Sequence, residues 1–181
     1  SDVLVNDGLI TAVGPDLSVG SAARTVDAAG RLLCPGFIDL HAHSALRPFD
    51  DPLLGAKIGQ GFTTELICPD GLGPAPLTDA TVDTRRRYLR GLEPSTGAGW
   101  DWRSMQSYLD ALQVTRPSAN MISCVPHSAV RESVMGNANR PPDRREMSAM
   151  KDLVAESLSA GARAVSFGMI YAPGLYADTN E

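Results

Sequence analysis

Lysine and histidine are both scarce in this chain of 181 residues. Only Lys57 and Lys151 occur, and the histidines are His41, His43 and His127. Both lysines lie in stretches that read as helix and neither sits at a strand end. No lysine here is therefore placed to act as a Schiff-base amine or a carbamylated metal ligand. Cysteine is limited to Cys34, Cys68 and Cys124, an odd number at wide spacings with no C-x-x-C pair. That excludes a disulfide framework and fits a reducing compartment. No apolar run approaches the roughly 20 residues that span a bilayer, and no basic-then-apolar segment opens the chain. The expectation is a soluble cytoplasmic protein with no membrane partner. Positive charge is also short: 16 basic against 21 acidic residues leave a net −5, which argues against a nucleic-acid partner. The cluster Arg85-Arg86-Arg87 with Arg90 reads as one solvated helix face. There is no internal repeat and no low-complexity tract. Both ends are abrupt. The chain enters a strand pattern almost at Ser1 and stops at Glu181 after Asp178-Thr-Asn, so neither end reads as a natural domain boundary.

What is present is enough apolar sequence, 43% against 20% charged, for a sizeable buried core. Val3-Leu-Val5, Asn6-Asp-Gly8 and Leu9–Val13 read as a hairpin. Arg24–Asp27, Ala29-Gly30 and Arg31–Cys34 repeat the strand–turn pattern, giving a small antiparallel unit over residues 1–34. From residue 35 the pattern changes. Phe37–His41, Thr63–Ile67, Asn120–Val125 and Ala162–Phe167 read as buried strands. Between them, helices are expected over Pro52–Gly59, Thr78–Leu92, Asp101–Leu112 and Asp143–Ala160. The third carries Asp101 as N-cap and a face of Trp102, Met105, Tyr108, Leu109 and Leu112. The fourth opens on an Asp143/Glu146 capping box and closes at Gly161. Pro69–Pro76 is too rich in breakers for regular structure. Strands alternating with helices mean an α/β fold with a parallel sheet. An open doubly wound sheet and a (β/α)8 barrel both fit. Since barrels take about 250 residues, a barrel would be present here only as four of its eight strands.

Chemistry concentrates at the strand ends. His41 and His43 are two residues apart, so alternation points both imidazoles the same way, a pairing suited to a divalent transition metal. Asp39 shares that face and could orient one of them. Asp70, just past the second strand, is a carboxylate for the same rim or simply the first residue of an Asp-Gly turn. Cys68 is a competing ligand two residues earlier. With no lysine in reach, any bridging group within the chain is a carboxylate or a thiolate. His127 and Arg131 follow the third strand and could meet a substrate, the arginine by gripping a carboxylate, or could be a loop histidine and a surface arginine. Tyr171 and Tyr176 follow the fourth strand, as pocket-lining or packing residues.

Pro35-Gly-Phe-Ile-Asp-Leu-His-Ala-His43 resembles the signature of the amidohydrolase superfamily, where a small β-sandwich runs into the first barrel strand. Gly59-Gln-Gly-Phe-Thr-Thr-Glu65, Asp70–Pro76, Trp100-Asp-Trp102 with Tyr108-Leu109, Val134-Met-Gly136 and Ser166–Gly174 with Thr179-Asn-Glu181 narrow the likeness to the N-acyl-D-amino-acid deacylase (D-aminoacylase) branch. The resemblance implies a TIM-type (β/α)8 barrel of which residues 35–181 are the first four β/α units, preceded by a partial β-sandwich over 1–34. It implies hydrolysis of the linear amide of an N-acylated D-amino acid by metal-activated water. The cofactor would be zinc, as one or two divalent ions, held by His41, His43 and Asp70. Asp70 stands where better-known deacylases carry a cysteine, a harder ligand in place of a softer one. On the substrate side the expectation is His127, Arg131 and Tyr171. The general base and further histidines are expected beyond Glu181, so the remainder of the barrel is a required partner and this piece alone is expected to be inactive. Cyclic-amide hydrolysis, deamination and a non-catalytic scaffold are the rival readings.

Overall fold

Asp7 and Gly8 both take positive φ, 50° and 78°, the backbone of a tight hairpin turn that this pair accepts at little cost. They join β1 (Asp2–Asn6) to β2 (Leu9–Gly14) as an antiparallel pair with a register shift between Leu4 and Val5. The computed structural model describes residues 1–17, 20 and 24–181. The hairpin belongs to a first compact unit, Ser1–Pro35. The strands expected at Arg24–Asp27 and Arg31–Cys34 are not formed. Both segments lack regular structure, and the Ala29-Gly30 turn between them closes with an Arg31 N–H to Ala28 carbonyl bond of 2.9 Å. Among the described residues neither segment has a ladder partner, and a strand needs a neighbouring edge to bond. The remainder of the expected antiparallel unit, residues 18, 19 and 21–23, lies outside the described residues.

The second unit runs from Gly36 to Glu181. Its sheet contains β3 (Phe37–Ala42), β4 (Phe62–Ile67), β5 (Asn120–Pro126) and β6 (Ala164–Ser166), parallel and side by side in chain order. The helices are α1 (Gly55–Ile58), α2 (Val82–Leu89), α3 (Met105–Val114), α4 (His127–Met135) and α5 (Arg144–Ser159). This is the expected α/β alternation with a parallel sheet. α1 packs on β4, and α4 and α5 pack on β5.

Local chemistry sets the helix ends. α5 starts as its sequence indicates, with the Asp143 carboxylate accepting the Arg145 and Glu146 N–H groups and Glu146 reaching back to the Asp143 N–H. α3 starts three residues later than Asp101. Ser104 is the N-cap and exchanges capping-box bonds with Ser107, a serine in the role usually given to glutamate. α1 is shorter than expected because Leu54 sits at φ 49°, a left-handed residue that forbids a helix running in from Pro52. The segment after β5, to which the sequence pattern assigns no element, is helix α4. Pro126 is at once the last residue of β5 and the N-cap of α4, so the connection has no length of its own.

The core gathers between sheet and helices around Leu46, Ile67, Leu89, Met105, Tyr108, Leu112, Val125 and Met150. Trp102 is its aromatic hub, with ring centroids 5.3 Å from Phe49 and 5.5 Å from both Trp100 and Tyr108. Two polar tips tie this hub to strand-end loops. The Trp102 indole N–H donates to the Pro74 carbonyl at 2.7 Å, and the Tyr108 hydroxyl donates to the Ala45 carbonyl at 2.8 Å. Ala45 is two residues past His43 and Pro74 four past Asp70, so the core positions both loops that carry candidate ligands.

Candidate metal centre

β3 delivers His41 and His43 to one place, with ring centroids 5.3 Å apart and planes inclined by 71°. The second contribution comes from β4. Past Ile67 the chain passes through Cys68, Asp70 and Gly71 at φ 61°, 56° and 69°. Left-handed backbone costs an ordinary residue roughly 1–2 kcal/mol, so a run of this kind must be held from outside. Ser166 on β6 does so: its hydroxyl accepts the Gly71 N–H at 3.0 Å and donates to the Cys68 carbonyl at 2.6 Å. From the start of α4, the Ser128 N–H bonds the Gly71 carbonyl at 3.1 Å. Gly168 lets the chain after β6 lie directly against this loop, because a Cβ there would fall 1.9 Å from the Asp70 carbonyl oxygen.

So held, the loop returns Asp70 to the histidines. Its Oδ2 lies 3.0 Å from His41 Nε2 and 3.3 Å from His43 Nε2, and the three potential ligand atoms lie within 4.8 Å of one another. Ligands bound at 2.0–2.2 Å around a tetrahedral zinc stand about 3.3 Å apart. The spacing and the donor set, two imidazole nitrogens and one carboxylate oxygen, fit a divalent metal. His41 is exposed, while His43 and Asp70 are partly covered, so one side of the group is open.

Other sequence expectations are relocated. Asp39 does not orient an imidazole: the β3–β4 register shifts between Asp39 and Ala42. Its carboxylate accepts the His41 backbone N–H at 3.0 Å and pairs with Lys57 at 2.5 Å. Lys57 also lies 3.1 Å from the buried Glu65, whose other oxygen accepts the Ser44 hydroxyl. A lysine thus pairs with carboxylates of β3 and β4, but it does so from α1. The Lys57 hydrogen bond, with His41's N–H behind it, holds the Asp39 carboxyl below its usual range. Cys68 is not in this group of potential ligands. It is fully buried, and burial pushes its thiol far above the usual range, assisted by the Glu93 charge. A buried thiol of this kind is a packing group rather than a ready thiolate.

The third and fourth strand ends bring His127 and Arg131 together through Glu181. Oε1 of that carboxylate lies 3.0 Å from His127 Nε2 and 2.8 Å from Arg131 Nε. Arg131 is wholly buried, and its other nitrogens donate to the Ala138 and Arg140 carbonyls at 3.0 and 2.7 Å. Its fork is therefore occupied within the chain. Burial, with Arg131 behind it, lowers the His127 pKa, and Glu181 opposes the shift. Tyr171 lines a depression with Leu72, Tyr88, Leu89, Gly91 and Leu92, whose walls do not include the histidine pair.

Sequence reasoning missed Glu93. This buried carboxylate, beyond α2, accepts the Leu46 N–H at 3.1 Å through Oε2, and its Oε1 lies 3.9 Å from His43 Nδ1. Burial pushes its pKa up to about 7 against hydrogen bonds from the Leu46 and Ala45 N–H groups. No motif marks it, because it reaches the site through a loop. Ser166 was visible only as part of a family-like segment, with nothing to suggest its bridging role.

A sequence model of the Amidohydrolase family matches residues 24–179. N-acyl-D-glutamate deacylase of Alcaligenes xylosoxydans xylosoxydans is 35% identical over 183 residues, which take in 100% of this chain and 36% of that protein. The crystal structure of N-acyl-D-glutamate deacylase from Bordetella bronchiseptica, complexed with zinc and a phosphonate mimic of the tetrahedral intermediate, superposes with a TM-score of 0.80. Its identity is 32%, and the match covers 97% of this chain and 36% of that one. A D-aminoacylase structure with a binuclear metal centre gives 0.79 at 34% identity, covering 94% and 35%. The chain thus spans about a third of the length of the relatives it matches.

Proposed function

The chain belongs to the amidohydrolase family, and from that premise we propose that it is the metal-binding part of a hydrolase that cleaves the linear amide bond of N-acyl-D-amino acids with water. The convergence of His41, His43 and Asp70 on one point carries this reading. Zinc held there, as one or two ions, supplies a Lewis acid for the amide carbonyl and lowers the pKa of water. The two imidazoles present Nε2 toward the Asp70 carboxylate, and the left-handed loop fixes that carboxylate before substrate arrives. The exposed flank of His41 is the side left for an acylated amino acid.

In this reading the unit from Gly36 is the first four β/α units of a (β/α)8 barrel, and residues 1–34 are part of a small β-sandwich. The two margins of the sheet support it. Ile38 and Leu40 on β3 are exposed, as are Phe167 and Ile170 just after β6, and apolar side chains at both open edges are what further strands would cover. The remainder of the barrel would supply further ligands and the general base. His127 and Tyr171 are assigned to the substrate side, whereas Arg131 acts by bracing Glu181 beside His127.

The test uses the full-length protein. Zinc content is measured, and hydrolysis of N-acetyl-D-glutamate and other N-acetyl-D-amino acids is compared with their L-enantiomers and with cyclic amides. One or two zinc ions per chain, lost in His41→Ala, with D-selective deacylation, is the expected result. Preference for a cyclic amide would replace the reading with a cyclic amidase. Absence of both zinc and turnover would make the protein a scaffold. The 181-residue piece alone is expected to be inactive, and robust turnover by it would refute the placement of the general base beyond Glu181.

A further inference from the structure

We propose that Glu93 is a positioning residue that accepts the Nδ1–H of His43 and thereby keeps His43 Nε2 free to bind the metal. The role rests on the metal-site reading above, but its central claim concerns the protein without metal. His43 Nδ1 and Glu93 Oε1 are both buried, neither has a hydrogen-bond partner among the described residues, and they stand 3.9 Å apart. Buried polar atoms are rarely left unpaired, because each costs about 1–3 kcal/mol. These two are complementary. A neutral imidazole carries one N–H, and if Nε2 faces the metal that proton is on Nδ1. The ionised Glu93 carboxylate can only accept. The gap is about 1 Å longer than an N–H···O bond, so the bond forms by a shift of about that size shared between the ring and the carboxylate.

Glu93 is held where this role needs it. Its Oε2 accepts the Leu46 N–H at 3.1 Å, three residues past His43, so the carboxylate is fastened to the turn that carries the histidine. Asp70 Oδ2 also faces His43 Nε2, at 3.3 Å; with that carboxylate engaged by a metal, the tautomer of His43 follows from the acceptor behind the ring. Histidine ligands are oriented in this way by a carboxylate or carbonyl at the far nitrogen, and loss of that partner typically weakens metal binding 10–100-fold.

Glu93→Gln separates this role from simple packing. Glutamine is nearly isosteric but has only one acceptor. With its oxygen kept on the Leu46 N–H, its NH2 faces Nδ1 and donates to it, forcing the proton to Nε2. A structural role predicts that the isostere behaves as wild type, whereas a positioning role predicts that it is harmful. The experiment is long-range 15N–1H NMR of the His43 ring in the metal-free full-length protein, at a pH where the ring is neutral and the Glu93 carboxyl ionised, on an Asp70→Ala background that removes the other carboxylate facing Nε2, with position 93 as wild type, Glu93→Gln and Glu93→Asp. The expected result is the Nδ1–H tautomer in wild type, Nε2–H in Glu93→Gln, and partial return to Nδ1–H in Glu93→Asp. Zinc affinity from chelator competition should fall about 10–100-fold in Glu93→Gln and by less in Glu93→Asp, with thermal midpoints recorded to show that both variants fold. The same tautomer in wild type and Glu93→Gln overturns the proposal, whatever zinc does. If wild type binds zinc no better than His41→Ala while the tautomers differ as expected, the metal reading fails and the positioning of His43 by Glu93 stands.

Discussion

Replacing Gly168 by alanine tests the loop that places Asp70 without altering a candidate ligand. The new Cβ would lie 1.9 Å from the Asp70 carbonyl oxygen and 2.7 Å from its carbon. Both are backbone atoms, so no side chain can swing aside. Contacts under 3.0 Å are essentially never formed by a real Cβ, and the Asp70 backbone or the chain after β6 must move by about 1 Å or more. Ser166 and Ser128 pin the loop at Cys68 and Gly71, on either side of Asp70, so the displacement passes to the Asp70 carboxylate. Metal sites tolerate errors of only about 0.2 Å in ligand distance, and a misplacement near 1 Å at a reacting centre costs about 100-fold. The expectation is a zinc affinity lower by about 100-fold, measured by chelator competition on the full-length protein, and a stability loss of about 1–3 kcal/mol from overpacking. Gly55→Ala is the control, since nothing lies within 4 Å of a Cβ there. Zinc affinity of Gly168→Ala within twofold of wild type would refute the claim that close approach of the two loops positions Asp70.

Other perturbations probe the same supports. Ser166→Ala removes the bonds to the Gly71 N–H and the Cys68 carbonyl and should cost about 2 kcal/mol, a Tm fall of roughly 4–8 °C by calorimetry, with weakened zinc binding; an unchanged Tm would show that the left-handed run needs no brace. Asp50 should give an acid-side signature. Hydrogen bonds from Ser95 first, then from the Thr96 hydroxyl and the Gly97 and Thr96 N–H groups, lower its pKa from 3.8 to about 2. A folded-state pKa below the unfolded one means that this contribution is fully present above about pH 4 and is lost as pH falls toward 2. Asp50→Asn should flatten the stability curve in that window, and identical urea midpoints for both proteins across it would contradict the assignment. Native thiol titration should show one fast cysteine, the exposed Cys34, and two slow ones, the buried Cys68 and Cys124. Fast labelling of Cys68 would return it to the list of possible ligands.

The residues that were legible in the sequence are those whose meaning is local. The hairpin at Asp7-Gly8, the four parallel strands and the capping box of α5 each depend on neighbours a few positions away. His41 and His43 are paired by their own spacing on a strand. The errors fall where a neighbour overrides a pattern. Leu54 in left-handed backbone truncates α1, Ser104 captures the start of α3 from Asp101, and α4 begins on the last residue of β5 with no loop to announce it. The supports of the site come from far along the chain. Asp70 meets His41 across 29 positions, Glu93 meets the turn at Leu46 across 47, and Ser166 holds Gly71 across 95. Single serines and a loop glutamate carry no periodicity, so no local pattern could reveal them. The candidate ligands are thus readable as residue types, while their geometry depends on groups that only the folded sheet brings beside them. That division makes Glu93 and Gly168 sharper tests of the site than another substitution at His41.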